Sequence, residues 1–150
     1  MLFETDTQID IRERSPLALA FLGDGVFELL VRQRVIENSL QPIQKLHATA
    51  VGYVSARHQA VGLQAILPML SEQEAAVVRR GRNAQKASVS KNATREEYAA
   101  STALEALFGW LFLQNQQERI RQLFDTVWSS LQQAYQAQQS GGERSCTASK

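Results

Sequence analysis

The sequence predicts an all-α protein, and three observations carry that reading. Five stretches bear helical spacing of apolar residues or helix-start signals. The three prolines, Pro16, Pro42 and Pro68, stand where those stretches start or stop. No run alternates apolar and polar residues as a half-buried strand does.

Taken in order, Ser15-Pro16 is an N-cap followed by proline at the first helical position, which starts a helix running to about Asn38. Leu17, Ala20, Phe21, Phe27 and Val31 form its apolar stripe. Pro42 opens a second helical region to about Leu67, through Leu46, Ala50, Val54 and Leu63, with Gly52 and Gly62 as candidate bends and Pro68 as the stop. Ser71-Glu-Gln-Glu74 is a capping box for a short helix to about Arg80, which Gly81 should end. Residues 82–93 read as a loop. A second capping box, Thr94-Arg-Glu-Glu97, starts a helix through Leu104, Leu107, Trp110 and Leu111 to about Gln114. The last helix spans about Gln117 to Gln138, with Ile120, Leu123, Val127, Leu131 and Ala134 at helical spacing. Residues 1–139 are thus expected to form one domain, and residues 140–150 a disordered polar tail.

A chain of 150 residues with 44% apolar and 21% charged residues is expected to fold around one core without metal or disulfide staples. Sixteen basic and fifteen acidic residues leave a net charge of +1, so only the distribution of charge can speak for a partner. The single cysteine, Cys146, excludes an internal disulfide framework and a cysteine zinc site. The acidic N-terminal stretch lacks the order of a signal peptide. The longest apolar run, Leu17 to Val31, is interrupted by Asp24 and Glu28 and is too short to cross a bilayer. These features predict a soluble, cytoplasmic chain with no membrane partner.

Two carboxylates stand among apolar residues. Asp24 shares its face with Leu17, Ala20, Phe21, Phe27 and Val31, and Glu105 shares one with Tyr98, Phe108 and Phe112. A buried carboxylate needs a cation, a hydrogen-bond donor or a metal, and the plainer alternative is a structural pairing with an arginine. Gly23 and Gly25 flank Asp24. Each costs roughly 1 kcal/mol in a helix interior, a loss that close backbone packing or ligand approach would explain.

Charge is also concentrated. Arg79, Arg80, Arg82, Lys86, Lys91 and Arg95 carry +6 within residues 79–95, with no acid among them. Such a segment suits a phosphate backbone, although a solvated loop has the same composition. His47 and His58 are eleven residues apart. On one helix that separation is roughly 16 Å, too far to share an ion. No phosphate-binding loop, dinucleotide fingerprint or zinc-peptidase motif is present, and pairing Ser55 or Ser101 with a histidine has no support in the sequence.

Phe21-Leu-Gly-Asp24 followed by Gly25-Val-Phe-Glu-Leu29 resembles the signature helix of the ribonuclease III catalytic domain. Ser101-Thr-Ala-Leu-Glu-Ala-Leu-Phe-Gly-Trp110, running on to Leu113, resembles that family's second acidic helix. With Arg79-Arg-Gly-Arg-Asn-Ala84, Lys91-Asn92 and the short length, the likeness is to the Mini-ribonuclease III branch, over about residues 14–135.

The resemblance implies a homodimeric, all-helical endoribonuclease that depends on Mg²⁺ and cleaves double-stranded RNA, with maturation of the 23S ribosomal RNA precursor as the associated role. It implies Asp24 and Glu105 as catalytic and metal-holding residues, and Arg79, Arg80, Arg82, Asn83, Lys86, Lys91 and Asn92 as RNA-binding residues. The RNA-binding domain of full-length relatives is not expected after its last helix. Full-length enzymes present four acids; here Ala20 stands at the first position and Thr102 at the third, where it is a candidate support for a metal-bound water. The metal would then be the counter-charge that two buried acids lack, and cleavage would leave 5′-phosphate and 3′-hydroxyl ends. The alternatives are a non-catalytic helical RNA-binding or ribosome-assembly module with the same fold, and a helical dimerisation domain. The second would leave both the acids and the basic segment without a cause.

Overall fold

The computed structural model describes residues 4–5, 8–84 and 93–144, the last three by backbone alone. Six α-helices follow in order, and no strand occurs among the described residues: α1 (Pro16–Asn38), α2 (Ile43–Tyr53), α3 (Ala56–Ile66), α4 (Glu72–Asn83), α5 (Arg95–Leu113) and α6 (Gln117–Arg144). Short 3-10 turns precede α1 and follow α3. None of these helices is long and apolar enough to cross a membrane.

Local chemistry sets most of the boundaries. The Ser15 hydroxyl accepts from the Ala18 amide, with Pro16 in the first turn of α1. Both capping boxes form in full, at Ser71/Glu74 and at Thr94/Glu97. The turn between α5 and α6 closes through Asn115, whose φ of 57° is the left-handed conformation that asparagine tolerates. Its side-chain carbonyl accepts from the Thr5 amide at 2.8 Å, which ties the N-terminal segment to this turn.

Three expected boundaries differ. The region opened by Pro42 is two helices, because the Ser55 hydroxyl caps a new one by accepting from the His58 amide. Gly52 and Gly62 are contact points instead of bends: a β-carbon there would meet Tyr135 at 3.0 Å and Val127 at 2.8 Å. Gly81 does not end α4, which continues to Asn83 because that glycine lies against Ala103 of α5. The last helix also runs beyond Gln138 to Arg144, into the stretch expected to be a tail; residues 145–150 lie outside the described residues.

α5 is the central element, packed on α1, α3 and α4, while α3 also packs on α6. Phe27, Phe108 and Phe124 meet edge to face at the centre, with ring centroids 5.7–6.4 Å apart. Tyr53, Trp128 and Tyr135 form a second aromatic group. The Arg119 guanidinium bonds both oxygens of buried Glu74, at 2.9 and 3.0 Å, and joins α6 to α4. α1 and α5, the helices that carry Asp24 and Glu105, are therefore held at the middle of the protein.

Candidate active site

The contact between α1 and α5 is made backbone to backbone. A β-carbon on Gly23 would lie 1.6 Å from the Glu105 carbonyl oxygen, and one on Gly109 would lie 2.0 Å from the Leu19 carbonyl oxygen. Only glycine at both positions permits this approach. Asp24 follows Gly23 directly, so the contact sets the two carboxylate-bearing residues on adjoining helices. Gly25 has open space above it and serves no such packing.

The expectation that both carboxylates are buried is corrected. Asp24 is exposed and Glu105 half-buried. The buried stripe of α1 runs through Leu19, Ala20, Gly23, Phe27 and Val31, and Phe21 is 86% exposed. The centre of that stripe is a glycine, which adds nothing to an apolar pattern, so the pattern seemed to centre one residue further on. A missing counter-charge therefore does not explain Asp24.

Two neutral side chains lie within hydrogen-bond reach of Glu105. The Gln59 amide of α3 donates to its Oε1 at 3.3 Å, and the Ser101 hydroxyl, one turn earlier on α5, lies 3.4 Å from the same oxygen. Ser101 also donates to the Gln59 carbonyl. Gln59 went unremarked in the sequence, although it sits on the buried α3 stripe with Gly62, Leu63 and Ile66. A polar residue on an apolar stripe was the same signal that singled out the acids.

The two positions without acids are folded inward. Ala20 packs with Leu19, Val77 and Ala106. Thr102 is 1% exposed and its hydroxyl donates to the Tyr98 carbonyl at 3.0 Å, which speaks against the support of a metal-bound water expected of it. Among the described residues no group of three or more histidine, cysteine or acidic side chains could hold a metal.

The basic residues part company. Arg79, Arg80, Arg82 and Asn83 are exposed near the C-terminal end of α4, whereas Lys86, Lys91 and Asn92 lie outside the described residues. Arg80 lines a cleft of about 730 Å³ with Arg12, Arg14, Gln73 and Trp110, on the stripe that begins at Gln73. Arg79 and Arg82 do not share that cleft. His47 and His58 stand on different helices. His58 Nδ1 is 2.8 Å from the Ser55 hydroxyl, but this pair is the cap of α3, and burial lowers the imidazole's pKa.

The family pattern described as Ribonuclease III domain matches residues 17–116. Mini-ribonuclease 3 of Symbiobacterium thermophilum is 47% identical over 112 residues, which cover 75% of this chain and 86% of that protein. The chain belongs to the Mini-ribonuclease III branch of the ribonuclease III family. Mini-ribonuclease 3 of Brevibacillus brevis is 43% identical over 77% of this chain and 86% of its own. The crystal structure of a Fusobacterium nucleatum protein superimposes with a TM-score of 0.74 at 32% identity, over 80% of this chain and 98% of that one. As a member of the ribonuclease III family, the chain is an endoribonuclease, and its fold is the all-helical one expected.

Proposed function

We propose that this endoribonuclease acts as a homodimer on double-stranded RNA, requires Mg²⁺, and processes the 23S ribosomal RNA precursor in the cytoplasm. The observation that carries the reading is the glycine contact that sets Asp24 and Glu105 on adjoining helices. The role in 23S processing rests on the family resemblance alone.

The donor set fits the ion. Two carboxylates are hard oxygen ligands, and two are enough for Mg²⁺, which keeps several waters and shares its shell with substrate phosphate. They do not make the closed nitrogen or sulfur cage of a structural zinc site. When bound, the ion supplies Lewis-acid polarisation of the phosphate and a lowered pKa for water.

The chain's own residues do the rest. Asp24 and Glu105 would hold the cation beside the scissile phosphodiester, whose negative charge it would offset. Arg79, Arg80, Arg82 and Asn83, with Lys86, Lys91 and Asn92 beyond them, carry the RNA backbone, since affinity for phosphates comes from neutralising them.

Dimerisation is supported by the outer face of α1. Phe21 and Leu29 are 86% and 60% exposed, and Gly25 lies between them on the same stripe. Phe27, Leu104, Leu107, Phe108 and Leu111 are core residues and add nothing to that face. A duplex has two strands and each protomer has one carboxylate pair, so a two-fold dimer supplies one pair per strand.

Incubation of the purified protein with long double-stranded and single-stranded RNA, with and without Mg²⁺, tests the reading. Cleavage of the duplex alone, and only with the ion, is expected. Equal cleavage of both RNAs, or full cleavage in the presence of a chelator, would contradict it.

A further inference from the structure

We propose that Gln59 is a positioning residue for Glu105: its buried amide, fixed by Ser101, orients the carboxylate. The inference rests on the reading that Glu105 is a catalytic carboxylate.

Gln59 is 2% exposed, so its amide must find partners inside the protein. It has two. The side-chain nitrogen donates to Glu105 Oε1 at 3.3 Å, and the side-chain oxygen accepts from the Ser101 hydroxyl. An ionised carboxylate only accepts, so the nitrogen must face Glu105. The oxygen then faces Ser101, whose single proton goes to it. This orientation of the amide satisfies all three groups, whereas the flipped one would set its oxygen against the Glu105 carboxylate oxygen.

A second carboxylate in the same molecule shows what a different partner does. Both oxygens of Glu74 take N–H bonds from the Arg119 guanidinium, and that cation lowers the pKa of the carboxyl. Such a pair holds a helix junction, but its charge is already matched. Gln59 offers Glu105 a donor that carries no positive charge of its own, so this bond directs the carboxylate without itself matching its charge. Groups that orient metal ligands in this way act through the ligand, and losing them typically costs about 10–100-fold in metal affinity or activity.

The test compares wild type, Gln59→Leu and Ser101→Ala. Mn²⁺ binding to RNA-free protein is measured by calorimetry, and cleavage of duplex RNA under single turnover. For Gln59→Leu, a fall of about 10-fold or more in both the Mn²⁺ association constant and the single-turnover rate is expected. The RNA concentration for half-maximal rate should stay within about twofold, because no phosphate contact is touched. Ser101→Ala leaves the amide present but unfixed, and a smaller fall in the same two quantities is expected. A folded Gln59→Leu with both quantities within about twofold of wild type overturns the proposal. If that variant does not fold, Ser101→Ala decides by the same criterion. Wild-type protein that cleaves the duplex but binds no Mn²⁺ removes the metal reading instead, and the single-turnover rate of Gln59→Leu then decides whether Glu105 is positioned by Gln59.

Discussion

Gly23 on α1 lies against the backbone of Glu105 on α5, so closely that a β-carbon would fall 1.6 Å from the Glu105 carbonyl oxygen. The neighbouring Gly25 meets nothing within 4 Å. Both stand in one helix beside Asp24, yet they predict opposite outcomes. Gly23→Ala forces two backbones apart and should lower stability by about 3 kcal/mol or more, at the upper end of overpacking effects. Gly25→Ala should leave the protomer's fold intact, because the site is open and alanine favours helix. Denaturant unfolding followed by circular dichroism separates the two.

The exposed stripe of α1 makes a prediction about assembly. Phe21→Asp puts a charge at the most exposed aromatic position of that helix and should shift the protein toward monomer in sedimentation at micromolar concentration. Helical content should be unchanged, since the Phe21 side chain is not part of the core. A variant that remains fully dimeric would place the interface elsewhere.

Acid should destabilise the protein in two steps. Burial, helped by the nearby Arg57 charge, lowers the His58 pKa, while the Arg119 hydrogen bonds lower that of Glu74. In both cases the unfolded chain binds the proton more readily than the folded one, so stability rises with pH. The His58 contribution is complete above about pH 6.5 and is lost as pH falls below that value. The Glu74 contribution is present above about pH 4.3 and is lost as pH falls through its lower folded value. Melting temperature measured against pH should show both steps, with the upper one absent in His58→Asn and the lower one absent in Glu74→Gln.

The basic segment predicts a dependence on salt. Each phosphate neutralised on a duplex contributes about 0.9 to the slope of log affinity against log salt, taking DNA as the guide. Replacing Arg82, Lys86 and Lys91 together by alanine should therefore flatten the slope by about two to three. Cleavage at saturating RNA should fall far less than in Asp24→Asn, because the carboxylates are untouched. An unchanged slope would mean that the RNA rests on another surface, for which the cleft shared by Arg12, Arg14 and Arg80 is the next to test.

Where the sequence carried explicit local chemistry, the fold was legible. Ser15-Pro16 and the two capping boxes start their helices at the expected residues. Close backbone packing, offered as one reason for a glycine beside Asp24, is there at Gly23. Gly52, Gly62 and Gly81 read as breaks and are close contacts within helices, whereas the real break falls at Ser55, whose capping role is local and was there to see. The same blindness moved the buried stripe of α1 onto Asp24, since a glycine at the centre of a helix contact has no hydrophobic weight. Asp24 and Glu105 were singled out from their apolar company, and the family likeness rests on the same residues. Gln59 escaped because its partners lie 42 and 46 residues away, a separation that only the packing of α3 on α5 closes.

The most direct test of the central claim is the single-turnover cleavage of duplex RNA by Asp24→Asn and Glu105→Gln at saturating Mg²⁺. Each change removes one negative charge and nearly preserves shape, so helical content and dimerisation should match wild type. The account predicts that either variant binds the duplex and fails to cut it. Cleavage at the wild-type rate by either one would contradict it.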